Sequence, residues 1–458
     1  MTLTVQRFDL DDTPREPNTP RPTPPWSPLP VGFPFLVDMD TGEVVEPVLA
    51  FLANKCAQPN SFQRGRWSKG ATADNYAADM KDWWAKVAAS GRPWHEADDE
   101  LVDDYLLDMK LSLSEHTGDF LADATIARRR STLNEFHRFA RRRYGYRHLP
   151  IASTSHLRNV KHDANGEETF DSFTLAKYDA NPRPFDQADL QLIFNRLGPL
   201  PDAAAQWVDE APTLKSGRRK KPTSRTRLAL LLAVTVGLRI DEIVHLRADL
   251  FNLDISDRDD DDSFTCELTV AKGLVRRTVY FPYWVIRHLQ AYIAGERTEA
   301  IAAARRSWLG SKGKPHPNLF LNTPSSGRNA GKRTTSKQLD ADLLKVLTEL
   351  EITIPRTKAE GTDNEKTVLV AKHSFHDGRH TFAYWLYLGE MGEDDGSDSP
   401  VMERRFEDVV QKIRLRLGHQ HVETTINIYL RVFNREGEKA LARQARWVRA
   451  IINRERKK

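Results

Sequence analysis

The sequence has little cysteine and only a small excess of one charge. Its 458 residues include two cysteines, Cys56 and Cys266, which lie far apart in the chain, and the formal net charge is +4. A disulfide framework or a zinc site made of cysteines needs several of them at close spacing, so we expect neither. Cys266 alternates with apolar residues, which is more typical of a small core side chain than of a reactive thiol.

The sequence also lacks long apolar runs. None approaches the ~20 residues that cross a bilayer, and the proline-rich start has no apolar block of the kind found in signal peptides. We therefore expect a cytoplasmic protein without a membrane partner.

One stretch carries several reactive side chains. It contains His-Asp-Gly-Arg-His at 376–380, Leu-Gly-His at 417–419 and Thr-Thr-Ile-Asn-Ile-Tyr at 424–429. A phenol with a pKa near ~10 is only about one part in a thousand ionised at neutral pH, so a tyrosine nucleophile needs cations and proton acceptors nearby. The arginine and histidines of these motifs are such groups. The stretch therefore predicts displacement at a phosphodiester by Tyr429.

Apolar spacing predicts the elements that hold these motifs. A helix is predicted at 375–388, with positions 376 and 379 on one face and an apolar face made of Phe382, Trp385 and Leu386. A second helix is predicted from the repeat of Phe406, Val409, Val410, Ile413 and Leu417. Gly418 is a natural C-terminal stop for that helix.

Upstream of this stretch, further elements are predicted. Residues 225–236 form an almost wholly apolar helix that Gly237 ends, and a short helix follows at 240–246. Residues 264–270 and 277–281 alternate as two strands of a hairpin. Lys272 lies in the turn between them.

These residues give the chain a resemblance to tyrosine recombinases of the phage-integrase class. That family has an arginine in Gly-Leu-Arg-x-x-Glu, a lysine in a β-hairpin turn, His-x-x-Arg, Leu-Gly-His and a nucleophilic tyrosine, in this order. The corresponding residues here occur in the same order: Arg239 with Glu242, Lys272, His376 with Arg379, His419 and Tyr429. A single His-x-x-Arg would mean nothing, but five pieces in order are a strong signal.

The resemblance implies a role for each residue. Tyr429 would attack the scissile phosphorus and form a 3′-phosphotyrosyl link with a free 5′-hydroxyl. Arg239 and Arg379 would hold the nonbridging oxygens, and Glu242 would orient Arg239. His376 would accept or relay the tyrosine proton, His419 would bind the phosphate, and Lys272 would protonate the leaving oxygen. With two arginines in place of a metal, we expect no metal and no cofactor.

Two features depart from the family pattern. Gly378 stands where an apolar residue is usual, which predicts looser packing behind Arg379. An acidic insertion at 389–400 replaces a short turn, and it is either a negative regulator or a peripheral loop.

Length predicts two or three domains, and the fold is expected to be mainly α with a small antiparallel β-sheet. A helical core-binding domain would precede a mixed α/β tyrosine-recombinase catalytic domain. The expected boundaries are a disordered N-terminal arm with a small hairpin and helix at 1–60, the helical domain at 61–155, a linker at 156–183, and the catalytic domain with a C-terminal helix at 184–458.

Local basic clusters are more informative than the net charge. A helix predicted at 124–144 carries the candidate DNA-binding residues Arg128, Arg129, Arg138, Arg141 and Arg142. Such a cluster alone could equally be a solvated face, but beside a phosphodiester site it predicts contacts with DNA phosphates.

The implied partner is double-stranded DNA at recombination sites. We expect a monomer in solution and a homotetramer on DNA, with accessory recombination proteins as further candidate partners. An apolar stripe (Leu441, Ala445, Val448, Ile452) either joins neighbouring subunits or packs on its own domain. Two alternatives stay open: a type IB topoisomerase-like nicking-closing enzyme, and a catalytically silent DNA-binding accessory protein.

Overall fold

The computed structural model describes part of the chain in detail. The described residues are 1–8, 29, 32–57, 72–114, 117–151, 156–162, 168–174, 183–201, 223–260, 262–268, 277–391 and 400–418. The chain divides into two compact units. The first unit comprises Met1–Asp179 and Thr357–Lys366, and the second comprises Ala180–Arg356 and Thr367–Lys458.

Helices make up most of the described structure. The α-helices are α1 Glu46–Leu52, α2 Thr72–Ser90, α3 Asp99–Leu111, α4 Asp123–Arg143, α5 Gln187–Leu197, α6 Arg225–Val236, α7 Ile240–His245, α8 Tyr283–Tyr292, α9 Thr298–Ala304, α10 Ser336–Glu349, α11 Phe375–Met391 and α12 Pro400–Leu417. Single turns of π-helix span Ala53–Ala57, Ile293–Arg297 and Arg305–Leu309, and 3₁₀-helices span Trp94–Glu96, Ala248–Phe251 and Pro324–Asn329.

The strands form small two-stranded sheets. They are β1 Leu3–Arg7, β2 Pro34–Asp38, β3 His156–His162, β4 Glu168–Thr174, β5 Ser263–Leu268, β6 Arg277–Pro282, β7 Thr353–Lys358 and β8 Lys366–Ala371. Each pairs with its sequence neighbour, and the first three pairs are antiparallel. The predicted fold class, mainly α with small antiparallel sheets, is confirmed.

The first unit has its core between α2, α3 and α4. Trp83 and Tyr105 are buried there, and their rings pack edge-on at 5.2 Å between centroids. The side chain of Asp98 caps α3 by accepting from Leu101 N at 3.0 Å. Phe51 of α1 joins the same core, because its ring lies 5.6 Å from that of Phe136.

The N-terminal residues are more ordered than predicted. We expected residues 1–30 to be disordered or extended, but β1 pairs antiparallel with β2 along its whole length. The turn predicted at 38–42 is present, since Gly42 has φ +76° and Val37 bridges to Val44. Residues 9–28 lie outside the described part.

The segment predicted as a linker contains strands. Within 156–183, β3 and β4 pair in antiparallel register from His156 opposite Thr174 to His162 opposite Glu168. The prediction of a linker did not include these two strands. The dipeptide Asn165-Gly166 between them is a strong sequence signal for a hairpin, and it was overlooked.

The second unit is built around α6. Leu228, Leu230 and Ala233 are completely buried, as the apolar pattern predicted. The carboxylate of Glu296 anchors the start of the helix by accepting from the backbone N of Ser224 at 2.8 Å. Gly237 ends the helix in the left-handed conformation, at φ +72°.

Helix α11 packs tightly against α6, contrary to expectation. A Cβ at Gly378 would lie 2.9 Å from the Cβ of Ala233 and 3.3 Å from a methyl of Leu230. The glycine therefore brings the two backbones close together, and the prediction of looser packing was wrong. Trp385, predicted on the apolar face of α11, is 39% exposed.

The remaining predicted elements near the site are present. β5 and β6 pair antiparallel, and the turn with Lys272 lies outside the described residues. Helix α12 ends at Gly418, which has φ +64°. A Cβ at Gly418 would lie 2.6 Å from Cδ of Arg277, so close approach also favours glycine there.

Candidate active site

Arg239 stands at the N-cap of α7 and is held by Glu242. Its backbone N donates to Glu242 Oε2 at 2.8 Å, and its Nη1 donates to Oε1 at 3.0 Å. The arginine side chain is 31% exposed, whereas that of Glu242 is only 3% exposed. The buried carboxylate thus fixes a cation that can still be reached from solvent.

Arg277, which the sequence analysis did not select, completes this cluster. Its side chain is 2% exposed, and its guanidinium forms an ion pair with Glu242 and donates to the carbonyl oxygens of Gly237 and Arg416. Burial lowers the pKa of Arg277, and the charge of Glu242 opposes that shift. A sequence signal existed, because Arg277 shares the inward register of β6 with the buried Val279 and Phe281.

Arg379 joins three helix ends. The residue is 2% exposed, its Nη1 donates to Gly237 O at 2.6 Å, and its Nη2 donates to Leu417 O. Gly237 O is therefore shared by Arg379 and Arg277, which links α11 to the ends of α6 and α12. A guanidinium held by two carbonyls has a fixed orientation.

His376 lies one turn before His380 on α11, with the two rings edge-on at 4.8 Å. Burial lowers the pKa of His376, the positive charges of Arg379 and Arg239 lower it further, and Asp377 raises it. The imidazole is therefore neutral at neutral pH, which is the form that can accept a proton.

The start of α11 is fastened to the entry segment of the second unit. Asp377 Oδ2 accepts from Ser374 N at 2.8 Å, and its Oδ1 accepts from Arg183 N at 3.2 Å. Thr381 Oγ1 accepts from Phe185 N at 2.8 Å. These bonds fix the first turn of α11, from which His376 projects.

The structure therefore brings Arg379 to Gly237, beside Arg239 and Glu242, and His376 lies one turn before Arg379 on α11. The other predicted site residues, Lys272, His419 and Tyr429, lie outside the described residues, as does the stripe at 441–452. The last described residue, Gly418, directly precedes His419. Tyr384 and Tyr387 on α11 are each partly buried.

The five candidate DNA-binding arginines lie on α4 of the first unit, in different surroundings. Arg128 forms an ion pair with the buried Asp79, and Arg129 pairs with Asp82 at 2.7 Å. Arg141 donates to the carbonyl of Leu149 at 2.7 Å from its Nε. Within the described part of the chain, Arg138 and Arg142 are exposed and have no ion pair.

The described residues contain neither a cluster suited to a metal ion nor a helix suited to a membrane. No three His, Cys, Asp or Glu side chains in that part of the chain lie close enough to hold a metal ion. None of the helices in the same ranges is long and apolar enough to cross a membrane.

Solved structures that resemble the chain have low sequence identity to it. One is the XerH site-specific recombinase bound to a palindromic difH substrate, with 15% identity, a TM-score of 0.48 and coverage of 86% of this chain and 94% of that one. A second is the Tn1549 transposon integrase in complex with transposon right end DNA, with 13% identity, a TM-score of 0.45 and coverage of 83% and 94%. A third is the XerA recombinase, with 13% identity, a TM-score of 0.30 and coverage of 84% and 92%.

A family model gives a direct match. No curated protein is significantly similar to the chain. Residues 65–144, which include α2, α3 and α4, match the model described as phage integrase, N-terminal SAM-like domain. Residues 65–144 thus match the N-terminal SAM-like domain of phage integrases, and the expected resemblance to that class is confirmed.

Proposed function

We propose that the chain is a site-specific DNA recombinase that breaks and rejoins strands through a 3′-phosphotyrosyl intermediate, for integration or excision of a mobile element. The observation that carries the proposal is the hydrogen bond from Arg379 to Gly237 O, which brings α11, with His376 one turn before Arg379, to the segment that contains Arg239. These residues are far apart in the sequence. Tyr429 is the proposed nucleophile. Its attack forms the phosphotyrosyl bond and releases the 5′-oxygen.

The two arginines suit the developing charge of that reaction. Arg239 and Arg379 are each fixed by bonds to protein acceptors before any substrate binds, so little reorganisation is needed when the phosphate arrives. A preorganised donor of this kind typically contributes a factor of about 10² to 10³ in rate. In the proposal both hold nonbridging oxygens, and Glu242 and Arg277 are positioning residues.

Proton transfer is assigned to three other side chains. His376, neutral because of its burial and its cationic neighbours, accepts or relays the proton of Tyr429. Lys272 protonates the departing 5′-oxygen, and His419 hydrogen-bonds to the phosphate. This scheme requires no metal or cofactor.

The proposed partner is double-stranded DNA. Exposed Arg138 and Arg142 on α4 of the SAM-like domain are the described candidates for phosphate contacts in the first unit. Exchange between two duplexes needs a nucleophile for each of four strands, so we propose a monomer in solution that forms a tetramer on DNA, with the stripe at 441–452 as a candidate contact between subunits.

The test is covalent capture in the presence of a metal chelator. Wild-type protein incubated with duplexes from the ends of its own element should become attached to DNA, and Tyr429→Phe should bind but form no adduct. Tyr387→Phe is the matched control, because this partly buried tyrosine of α11 should be dispensable for the adduct. Persistence of the adduct in Tyr429→Phe would contradict the assignment.

The same assay separates the alternatives. Adduct formation with relaxation of supercoiled DNA but no strand exchange would indicate a nicking-closing enzyme. Tight binding with no adduct from the wild type would indicate an accessory DNA-binding protein.

A further inference from the structure

The second unit contains a long stretch without acidic residues. Between Glu299 and Asp340 there is no aspartate or glutamate, although 64 of the 458 residues of the chain are acidic. The same stretch contains eight cations: Arg305, Arg306, Lys312, Lys314, Arg328, Lys332, Arg333 and Lys337. We call residues 305–337 the basic segment.

The cations of the basic segment face solvent. All except the partly buried Arg333 are exposed, and none of the eight forms an ion pair within the described part of the chain. Like charges held close together repel each other, and here no carboxylate of the segment offsets that repulsion. A bound anionic partner would offset the repulsion between these cations.

Two distant parts of the basic segment form one surface. Trp308 Nε1 donates to Ala330 O at 2.8 Å, and Lys332 Nζ lies 5.5 Å from the centre of the exposed Trp308 ring. Gly331 packs so closely on α9 that a Cβ there would lie 2.5 Å from the Cβ of Ala304. Cations near Trp308 and cations near Lys332 are therefore held side by side.

The basic segment also contacts α7, the helix whose N-cap is Arg239. Leu319 N donates to Leu246 O at 2.7 Å, and Arg333 contacts His245, the last residue of α7. Six residues of α-helix span about 9 Å at 1.5 Å per residue. The basic segment thus contacts α7 about 9 Å along the helix from Arg239, the residue that would hold the scissile phosphate. At about 3.4 Å of axial rise per phosphate of one DNA strand, this distance corresponds to a few phosphates.

We propose that the basic segment binds the DNA backbone phosphates that flank the scissile one, independently of base sequence. This inference rests on the proposed function and names a second part of its DNA surface. The side chains fit that ligand, because phosphate contacts come from Lys and Arg together with Ser, Thr and Asn, and the 3₁₀-helix Pro324–Asn329 adds Ser325, Ser326 and Asn329.

The experiment measures the salt dependence of binding in the full chain with Tyr429→Phe, so that cleavage cannot interfere. The test variant combines Arg305→Gln, Arg306→Gln, Lys312→Gln and Lys332→Gln. The control removes four exposed or half-exposed cations that have acidic partners in the same unit: Arg196→Gln, Arg247→Gln, Arg287→Gln and Lys345→Gln. Both variants lose four charges, so only the location differs.

Each lost phosphate contact should reduce the slope of log K against log salt by about 0.9. Between ~50 and ~200 mM salt, we expect the test variant to lose about 2 to 4 units of slope, equally on an element-end duplex and on a shuffled duplex. The control should keep its slope. A charge-conserving variant, Arg305→Lys with Arg306→Lys, should also keep it, which distinguishes lost contacts from misfolding.

An unchanged slope in the test variant, or an equal loss in the control, would overturn the proposal. A loss of slope confined to the element-end duplex would also overturn it, because phosphates carry no base identity. Binding to anionic lipid vesicles that disappears in the test variant, while the DNA slope stays the same, would overturn it as well. Failure of the wild type to form an adduct, together with the expected slopes, would remove only the recombinase chemistry and leave the phosphate surface.

Discussion

Each unit contains a buried carboxylate that holds two arginines, and the two clusters differ in which partner is accessible. Asp79 in the first unit is 2% exposed, and it receives Arg128 and Arg129, which are 43% and 20% exposed. Glu242 in the second unit is 3% exposed, and its two arginines are the buried Arg277 and the more accessible Arg239.

The difference shows two uses of the same arrangement. Arg128 and Arg129 of α4 both pair with Asp79 of α2. Thr132 Oγ1, also on α4, donates a hydrogen bond of 2.9 Å to the same carboxylate, so the cluster joins the two helices. At Glu242 the buried Arg277 supplies the neutralising charge and binds two carbonyls, which leaves Arg239 oriented and open to solvent. The first cluster joins two helices, whereas the second also orients a cation that stays accessible to solvent.

The largest expected effect is that of Glu242→Gln, which removes the negative charge at the centre of the second cluster. The substitution leaves the guanidinium of Arg277 buried without a counter-charge, which typically costs about 3 to 5 kcal/mol of unfolding free energy. Urea unfolding followed by a probe in the second unit would measure the loss.

Arg239→Gln is the matched control for Glu242→Gln. It removes the accessible arginine, so we expect a loss of about 1 kcal/mol or less in unfolding free energy, together with a fall of about 10² to 10³ in the rate of adduct formation. Equal losses of stability in the two variants would show that the buried pair is not what distinguishes the second cluster.

The first unit has an acid-sensitive residue, His137, on the buried face of α4. Burial lowers the pKa of His137 from 6.5 to about 4, and its Nδ1 donates to Pro150 O at 2.6 Å while Nε2 has no partner in the described part. Below pH 6.5 the unfolded chain binds a proton that the folded chain binds only near pH 4. The unfolding free energy should therefore fall by about 3 kcal/mol between these pH values.

His137→Gln tests this titration. Glutamine can still donate to Pro150 O, but it cannot take up a proton, so the variant should lose less stability than the wild type between pH 6.5 and 4. Above pH 6.5 the histidine is neutral in both states and contributes no pH dependence. Parallel stability curves for the two proteins across this range would refute the assignment.

A smaller effect than at Glu242 is expected for Asp79→Asn. We expect a loss of about 1 to 3 kcal/mol, less than at Glu242, because Arg128 and Arg129 can turn towards water. Their release should also strengthen sequence-independent DNA binding by the chain. Asp108→Asn, at a 61% exposed partner of Lys86, makes the same charge change and should strengthen binding less. Equal effects of the two substitutions would mean that the arginines of α4 are already available.

Much of the secondary structure around the candidate site follows from local sequence. The apolar run of α6, its stop at Gly237, the short helix after Arg239 and the stop at Gly418 were predicted, because helix periodicity and left-handed glycine caps depend on neighbouring residues. The strands β3 and β4 were missed because their polar residues hide the alternation. The strands β7 and β8 were not predicted.

Residue type and local spacing were enough to predict the order of the reactive residues and the helices that carry the described ones. Which arginines form ion pairs with buried carboxylates became clear from the tertiary structure. Arg277 became a buried link to Glu242, Arg128 was neutralised by Asp79, and Gly378 became a close contact with Ala233. The physical reason is that burial and ion pairing depend on residues distant in the chain, which local spacing does not specify.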